Sequence, residues 1–198
     1  MHERRFRPSQ MHRLEDPDRL KWLPPDEILA RFGFQPGWTV ADVGAGTGYF
    51  TLPIARAVGS AGRVFAVDVS SEMLHRLRVR LAEAALANVE CVEAEASATT
   101  LPAGSCDLVL LANVWHEFDD HAAVLAEARR ILSPAGRIAL LDWRPDVEPD
   151  HGPPLEHRIA PEAAAHSLAR AGFSLAQPVY CLRYSWLLIG CMEPARPA

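Results

Sequence analysis

The chain has 198 residues, 49% of them hydrophobic and 23% charged, with a net charge of −5. That is enough apolar mass for one substantial core, and it excludes a disordered or fibrous protein. The acidic balance argues against a nucleic-acid partner, and no uncharged run reaches membrane-spanning length.

Residues 1–22 are charged and irregular, with Arg4, Arg5, Arg7 and Arg13 ahead of the acidic stretch Glu15 to Asp18. No apolar leader precedes them, which points to a cytoplasmic protein. Two readings stand for this segment: a solvated tail, or an arm that acts as a lid over a cofactor mouth. Trp22, Leu23, Ile28 and Phe32 supply apolar anchors for the second. Residues 23–198 then make a single domain. Pro24-Pro25-Asp26 predicts a short helix ending near Phe32-Gly33, with proline in the first turn and glycine at the end.

From Thr39 the chain alternates between strand-like and helix-like segments. Strands are predicted at 39–44, 63–68, 89–95, 106–113 and 136–143, the last two being nearly continuous apolar runs. Pro53 lies past the position where proline is free, so the first intervening helix should start irregularly or kink. Ser70 or Ser71 caps a helix carrying Met73, Leu74, Leu77, Leu81 and Ala84 on one face. Asp119 or Asp120 caps another, with Val124, Leu125, Ala128, Ile131 and Leu132 on one face, which stops at the turn Ser133-Pro-Ala-Gly136. Pro161 to Ala171 is one more helix, closed by Gly172. The runs 173–180 and 185–192 are too close in sequence to be parallel neighbours and must pair as a hairpin. The sum is an α/β fold: a seven-stranded, mostly parallel sheet with an antiparallel C-terminal strand and helices on both faces. Cys91, Cys106, Cys181 and Cys191 form no metal-binding spacing and sit in or beside apolar runs, so they read as buried thiols of a reducing compartment.

The segment Ala41-Asp-Val-Gly-Ala-Gly-Thr-Gly-Tyr49 carries the chemistry. A strand, a turn of three alternating glycines and a helix start together make a place for a polar cofactor. The dinucleotide fingerprint requires G-x-G-x-x-G; here Gly44, Gly46 and Gly48 bring the third glycine one residue early. Asp42, just before the loop, would repel a pyrophosphate and attract an ammonium. Both features favour a zwitterionic, amino-acid-bearing cofactor over NAD. Asp68, closing the next strand, is placed to accept hydrogen bonds from ribose hydroxyls. Met73 reads equally as core or as a platform for adenine.

On these residues the chain resembles the class I S-adenosylmethionine-dependent methyltransferases of Rossmann-like fold, type 11, in the group similar to the ubiquinone/menaquinone-biosynthesis methylases. Val40 to Tyr49 matches that family's first motif, Val67-Asp68-Val-Ser its second, and Glu95-Ala96 the acidic residue plus alanine that meets the adenine. Glu95 stands where aspartate is more usual. Cys106 to Asn113 matches the strand beneath the methyl group, and Ile131 to Arg137 the turn before the fifth strand. The likeness covers roughly residues 24–192. It implies that Asp42, Gly44, Ala45, Gly46 and Gly48 hold the methionine moiety of S-adenosylmethionine. It also implies that Asp68 and Val69 meet the ribose and its surroundings, that Glu95 and Ala96 meet the adenine edge, and that Asn113 lies near the methyl group.

His116 and Glu117 leave the fourth strand over that position. His116 is a candidate general base, or a loop histidine that only packs or caps. Absence of an Asn/Asp-Pro-Pro-Tyr/Phe tetrad lowers the odds for nucleic-acid bases or glutamine side chains as acceptors. The cluster that opens at Asp142 and runs on through Arg158 follows the fifth strand, where this fold usually builds its acceptor pocket; its His151, Glu156, His157 and Arg158, together with His116 and Glu117, are candidates for binding substrate, without a metal pattern. The reading is a methyltransferase acting on a small molecule. Competing readings are a non-catalytic S-adenosylmethionine-binding protein or scaffold, and an NAD-dependent oxidoreductase.

Overall fold

Strand β1 (Thr39–Val43) lies in the interior of the sheet, between β2 (Arg63–Asp68) and β4 (Cys106–Ala112), both parallel to it. The computed structural model describes residues 6–148, 150–175, 178–180 and 182–192, so Arg4, Arg5 and Cys181 lie outside the described residues. With β3 (Val89–Glu93), β5 (Leu132–Trp143), β6 (Phe173–Leu175) and β7 (Ser185–Met192), the sheet has seven strands in the order β3-β2-β1-β4-β5-β7-β6. Strand order reverses between β1 and β4, and open α/β sheets bind ligands at such a reversal, beyond the strands' C-terminal ends.

Successive side chains of a strand point to opposite faces. On one face Val40, Val64, Leu108, Leu110, Ala139 and Leu141 pack against α2 (Pro25–Phe32) and α3 (Thr51–Val58), while Ala66 packs under α4 (Ser71–Glu83). On the other, Ala41, Val43, Val67, Val109, Leu111, Ile138 and Leu140 pack against α5 (His121–Ile131) and α6 (Pro161–Arg170). The hydroxyl of Ser70 caps α4 by accepting from the Met73 N–H, and the Asp120 carboxylate caps α5 by accepting from Ala123. Residues Gly46 to Phe50 form turns and the helix proper begins at Thr51, so Pro53 falls in the first turn, where a missing N–H breaks no helical bond.

β7 runs antiparallel between β5 and β6, pairing Leu140 with Leu188 on one side and Ser174 with Cys191 on the other. Val179 bridges to Leu187 beyond β6, continuing the hairpin. Three expectations need correction. Ser133 to Gly136 do not end the helix in a free turn: Leu132 already pairs with Cys106 and Arg137 with Leu108, so they bulge out within β5. Leu132 belongs to that strand, not to the helix. Cys191 is exposed and Cys91 only half-buried, because alternate residues of strands near the sheet's edges face water.

Residues 6–22 are not irregular. Pro8–Leu14 forms a 3-10 helix and Arg19–Trp22 one helical turn, α1. The segment is tied to α4 by a two-point ion pair, Arg76 Nε and Nη2 to the Glu15 carboxylate at 2.9 and 2.7 Å. Among the described residues, no helix is long and apolar enough to cross a membrane.

Candidate active site

At the end of β1 the N–H groups of Gly44 and Ala45 both donate to the Val67 carbonyl, which turns the chain sharply out of the sheet. Gly44, Gly46 and Gly48 all have positive φ, 78°, 54° and 88°. Two of them are also needed for space: a Cβ on Gly44 would meet Val114 at 2.7 Å, and one on Gly48 would meet Leu77 at 2.3 Å. Gly46 is different, since its nearest neighbour would be Leu14 of the N-terminal segment at 3.3 Å. One oxygen of Asp68 accepts the Gly46 N–H and the other the Ser70 N–H, each at 2.8 Å, so this carboxylate braces the loop. A carboxylate accepts up to about four hydrogen bonds, and that brace is compatible with a ribose contact.

Loop and strand ends enclose a cavity of about 170 Å³. Asp42, Gly44, Ala45, Gly46, Asp68, Val69, Glu95, Ala96, Asn113 and Glu117 line it, joined by Met73, which is also buried. Gly48 stands behind it, packed under α4. Phe6, Leu14, Arg19 and Tyr49 complete the wall. Asp42 is buried beneath the loop and accepts a 2.6 Å hydrogen bond from the Thr51 hydroxyl. Burial pushes its pKa up to about 6, against the opposing hydrogen bond from Thr51.

Asn113 adopts a left-handed conformation, φ 56°, as the chain leaves β4. Its backbone N–H donates to the Leu141 carbonyl at 2.7 Å, while both polar atoms of its amide are buried without a partner among the described residues. The Arg19 Nε is in the same condition, and both residues line the cavity. Buried polar groups are normally satisfied, so this concentration fits a polar ligand that carries donors and acceptors of its own. A zwitterion bearing an adenosine meets that description.

His116 does not line the cavity. Its ring is buried against Asp142, with Nδ1 2.9 Å from Oδ1, and its backbone N–H donates to Oδ2. Burial has the largest influence on the imidazole and lowers its pKa. The Asp142 carboxylate, and then Glu117, outweigh that and leave it above the ordinary histidine value. Glu117 reaches the cavity wall, where one oxygen accepts the Phe6 N–H at 3.2 Å and the other lies 3.9 Å from His116 Nε2. Burial lifts its pKa to about 7, opposed by the charge of His116 and the Phe6 hydrogen bond.

The other predicted substrate ligands stand apart from this wall. Arg158 is buried, and its guanidinium donates to the carbonyls of Pro153, Arg144, Val147 and His151, holding the loop after β5 in shape. His151 stacks on Trp22 with ring centroids 4.5 Å apart, and His157 lies half-buried in the 3-10 turn Leu155–His157. Among the described residues, no three His, Cys, Asp or Glu side chains cluster to hold a metal ion. Sequence reasoning missed Phe6, Leu14, Arg19 and Tyr49. No local signal marks Arg19 within a charged stretch; only the apolar Leu20 and Trp22 beside it hint at docking.

Known proteins give this arrangement a context. The methyltransferase domain family matches residues 41–140. A crystal structure of an S-adenosylmethionine-dependent methyltransferase from Aquifex aeolicus is similar with a TM-score of 0.91 at 31% identity, covering 96% of this chain and 100% of that one. The demethylmenaquinone methyltransferase of Lactococcus lactis is 32% identical over 116 residues, 59% of this chain and 46% of the relative. A ubiquinone/menaquinone biosynthesis C-methyltransferase of Marinomonas sp. is 33% identical over 122 residues, 61% of this chain and 49% of the relative. The chain thus spans about half the length of the curated relatives it matches.

Proposed function

The chain belongs to the methyltransferase domain family, with S-adenosylmethionine as its methyl donor, and from that premise we propose that it methylates a small-molecule acceptor by in-line displacement. The observation that carries the proposal is the cavity at the β1/β4 reversal, where the braced glycine loop meets the Asn113 amide, unpartnered among the described residues. When bound, S-adenosylmethionine supplies a methyl group already activated by its sulfonium, a leaving group that needs no acid. The protein's task is then to orient two reactants and exclude water.

In this reading Asp42 and the Gly44–Gly48 backbone hold the methionine moiety, Asp68 the ribose, and Glu95, Ala96 and Val69 the adenine side. Asn113 offers its amide at the end of β4. Glu117 faces the acceptor's side of the cavity, and His116, fixed by Asp142, stands behind it. An acceptor atom that sheds a proton on methylation finds in Glu117 a carboxylate titrating near neutrality, with an imidazole next in line. His116 thereby acts on the proton through Glu117 and not by direct contact. Relatives named as a demethylmenaquinone methyltransferase and a ubiquinone/menaquinone biosynthesis C-methyltransferase support an acceptor of this kind, because a carbon that gains a methyl group in place of hydrogen sheds a proton.

With Phe6, Leu14 and Arg19 in place, the cavity is smaller than the roughly 300–1,000 Å³ of pockets that enclose a small molecule. Residues 6–22 therefore serve as a lid that opens to admit the donor and docks again over it. Calorimetry with S-adenosylhomocysteine tests the donor site: binding by the native chain, strongly weakened in Asp68→Ala, is expected. No binding, or undiminished binding by the variant, overturns it.

A further inference from the structure

Arg19 carries a charge that finds no counter-ion among the described residues. It is 7% exposed, and its Nη1 donates to the Leu14 carbonyl at 2.8 Å. The guanidinium lies over the ring of Tyr49, 4.0 Å from the centroid, but its Nε is buried and has no hydrogen-bond partner among the described residues. No carboxylate among the described residues forms an ion pair with it, and the charged side chain whose field acts on it is a like one, Arg80. Burial without a counter-ion lowers its pKa to about 10. An isolated buried cation is costly, and a protein keeps one where an anion arrives from outside.

What kind of anion follows from the neighbours. The same cavity is lined by four carboxylates, Asp42, Asp68, Glu95 and Glu117, so a phosphate or another ligand of net negative charge is repelled. A carboxylate that brings its own ammonium is not. Arg19 also sits at the glycine-loop end: Tyr49 belongs to the loop, and Leu14, whose carbonyl Arg19 holds, covers Gly46. We propose that Arg19 binds the carboxylate of the methyl donor's amino-acid moiety, while Asp42 takes its ammonium. The proposal rests on the donor assignment above and adds a residue from the N-terminal segment to the site. It also couples donor binding to the position of that segment, because the guanidinium cannot meet the carboxylate unless α1 is docked.

The test is calorimetry on the full chain with S-adenosylhomocysteine and with its decarboxylated analogue, which keeps nucleoside, sulfur and amine. The native chain is expected to bind the analogue about 10- to 100-fold more weakly, the range for a charge-assisted contact. Arg19→Met is expected to weaken S-adenosylhomocysteine by a similar factor and to bind the two ligands alike, with Arg19→Lys in between. Equal affinity of the native chain for both ligands overturns the proposal without needing any variant. So does an equal loss for both ligands in Arg19→Met, which marks a purely structural role, or no loss at all, which leaves the cation to an anionic acceptor. Failure of the native chain to bind either ligand is distinguishable from these: it removes the donor assignment itself, and the proposal with it.

Discussion

His116 Nε2 and Glu117 Oε1 lie 3.9 Å apart, with Asp142 2.9 Å from the opposite nitrogen of the same ring. The three groups form a line from β5 to the cavity wall, and only the last of them meets the cavity. Hydrogen bonds of this kind are often long without substrate and tighten when the reactants are bound.

Stability should fall as pH rises from about 4 to 8. Glu117 has its folded pKa lifted from the ordinary 4.5 to about 7, so the folded state holds that proton more tightly than the unfolded chain does. Its contribution is complete below about pH 4.5 and is lost as pH climbs through 7, on the order of 3 kcal/mol at roughly 1.4 kcal/mol per unit. Asp42, lifted to about 6, and His116, also raised, act in the same direction. Glu117→Gln removes the largest part of this slope, so thermal melts should show the variant more stable than the native protein at pH 8 and similar at pH 4.5. A variant whose melting temperature tracks the native curve across that window contradicts the burial of Glu117.

Removing the imidazole should separate turnover from donor binding. His116→Ala leaves every donor-side residue in place, so affinity for S-adenosylhomocysteine should stay within about threefold, while methyl transfer slows by about 10-fold or more, short of the roughly 10²- to 10⁴-fold for losing the acid–base group itself. Asp142→Asn should lower the pKa of His116, read from imidazole proton shifts, because the attraction that raises it is gone. Equal turnover in His116→Ala would return the residue to a packing role.

The contrast between Glu117 and Arg158 shows what the sequence made legible. Strand positions, the glycine loop and Asp68 follow from local period and spacing, and the sheet assembled them as expected. Local pattern cannot say where a polar loop side chain points. Arg158 reads as a substrate ligand, yet its donors are consumed by four carbonyls of its own loop. His151 reads as polar lining and instead stacks on Trp22, far away in sequence. Contacts such as Phe6 to Glu117, separated by 111 residues, have no local signature at all, and so the arm's share of the wall was hidden. The bulge at Ser133–Gly136 was hidden for a related reason, since Leu132 suits a helix face and a strand equally well.

Two glycines of the loop should respond differently to a methyl group. Gly48→Ala places Cβ 2.3 Å from Leu77 and 2.7 Å from Leu52 at a φ of 88°, so both strain and overpacking act, costing about 2–4 kcal/mol. Gly46→Ala meets only Leu14, at 3.3 Å, at a φ an L-residue tolerates better, and should cost about 1 kcal/mol. Chemical denaturation ranks the two, and the reverse order would mean that the loop, not α4, is the rigid partner.

The N-terminal segment should behave as a removable part of the donor site. One of its polar anchors is the Glu15–Arg76 pair, partly in solvent and therefore worth no more than about 1 kcal/mol. Arg76→Ala should then raise the rate of tryptic cleavage after Arg13 and Lys21 by up to about fivefold, since cleavage follows the population of the undocked state. S-adenosylhomocysteine should slow that cleavage in both proteins, because the ligand and the docked segment share Arg19 and Leu14 in one wall. Deleting residues 1–20 takes Phe6, Leu14 and Arg19 away together and should weaken donor affinity by at least as much as Arg19→Met alone. If the truncated chain folds and binds S-adenosylhomocysteine as tightly as the native one, residues 1–20 are a tail, and the cavity wall they form plays no part in holding the donor.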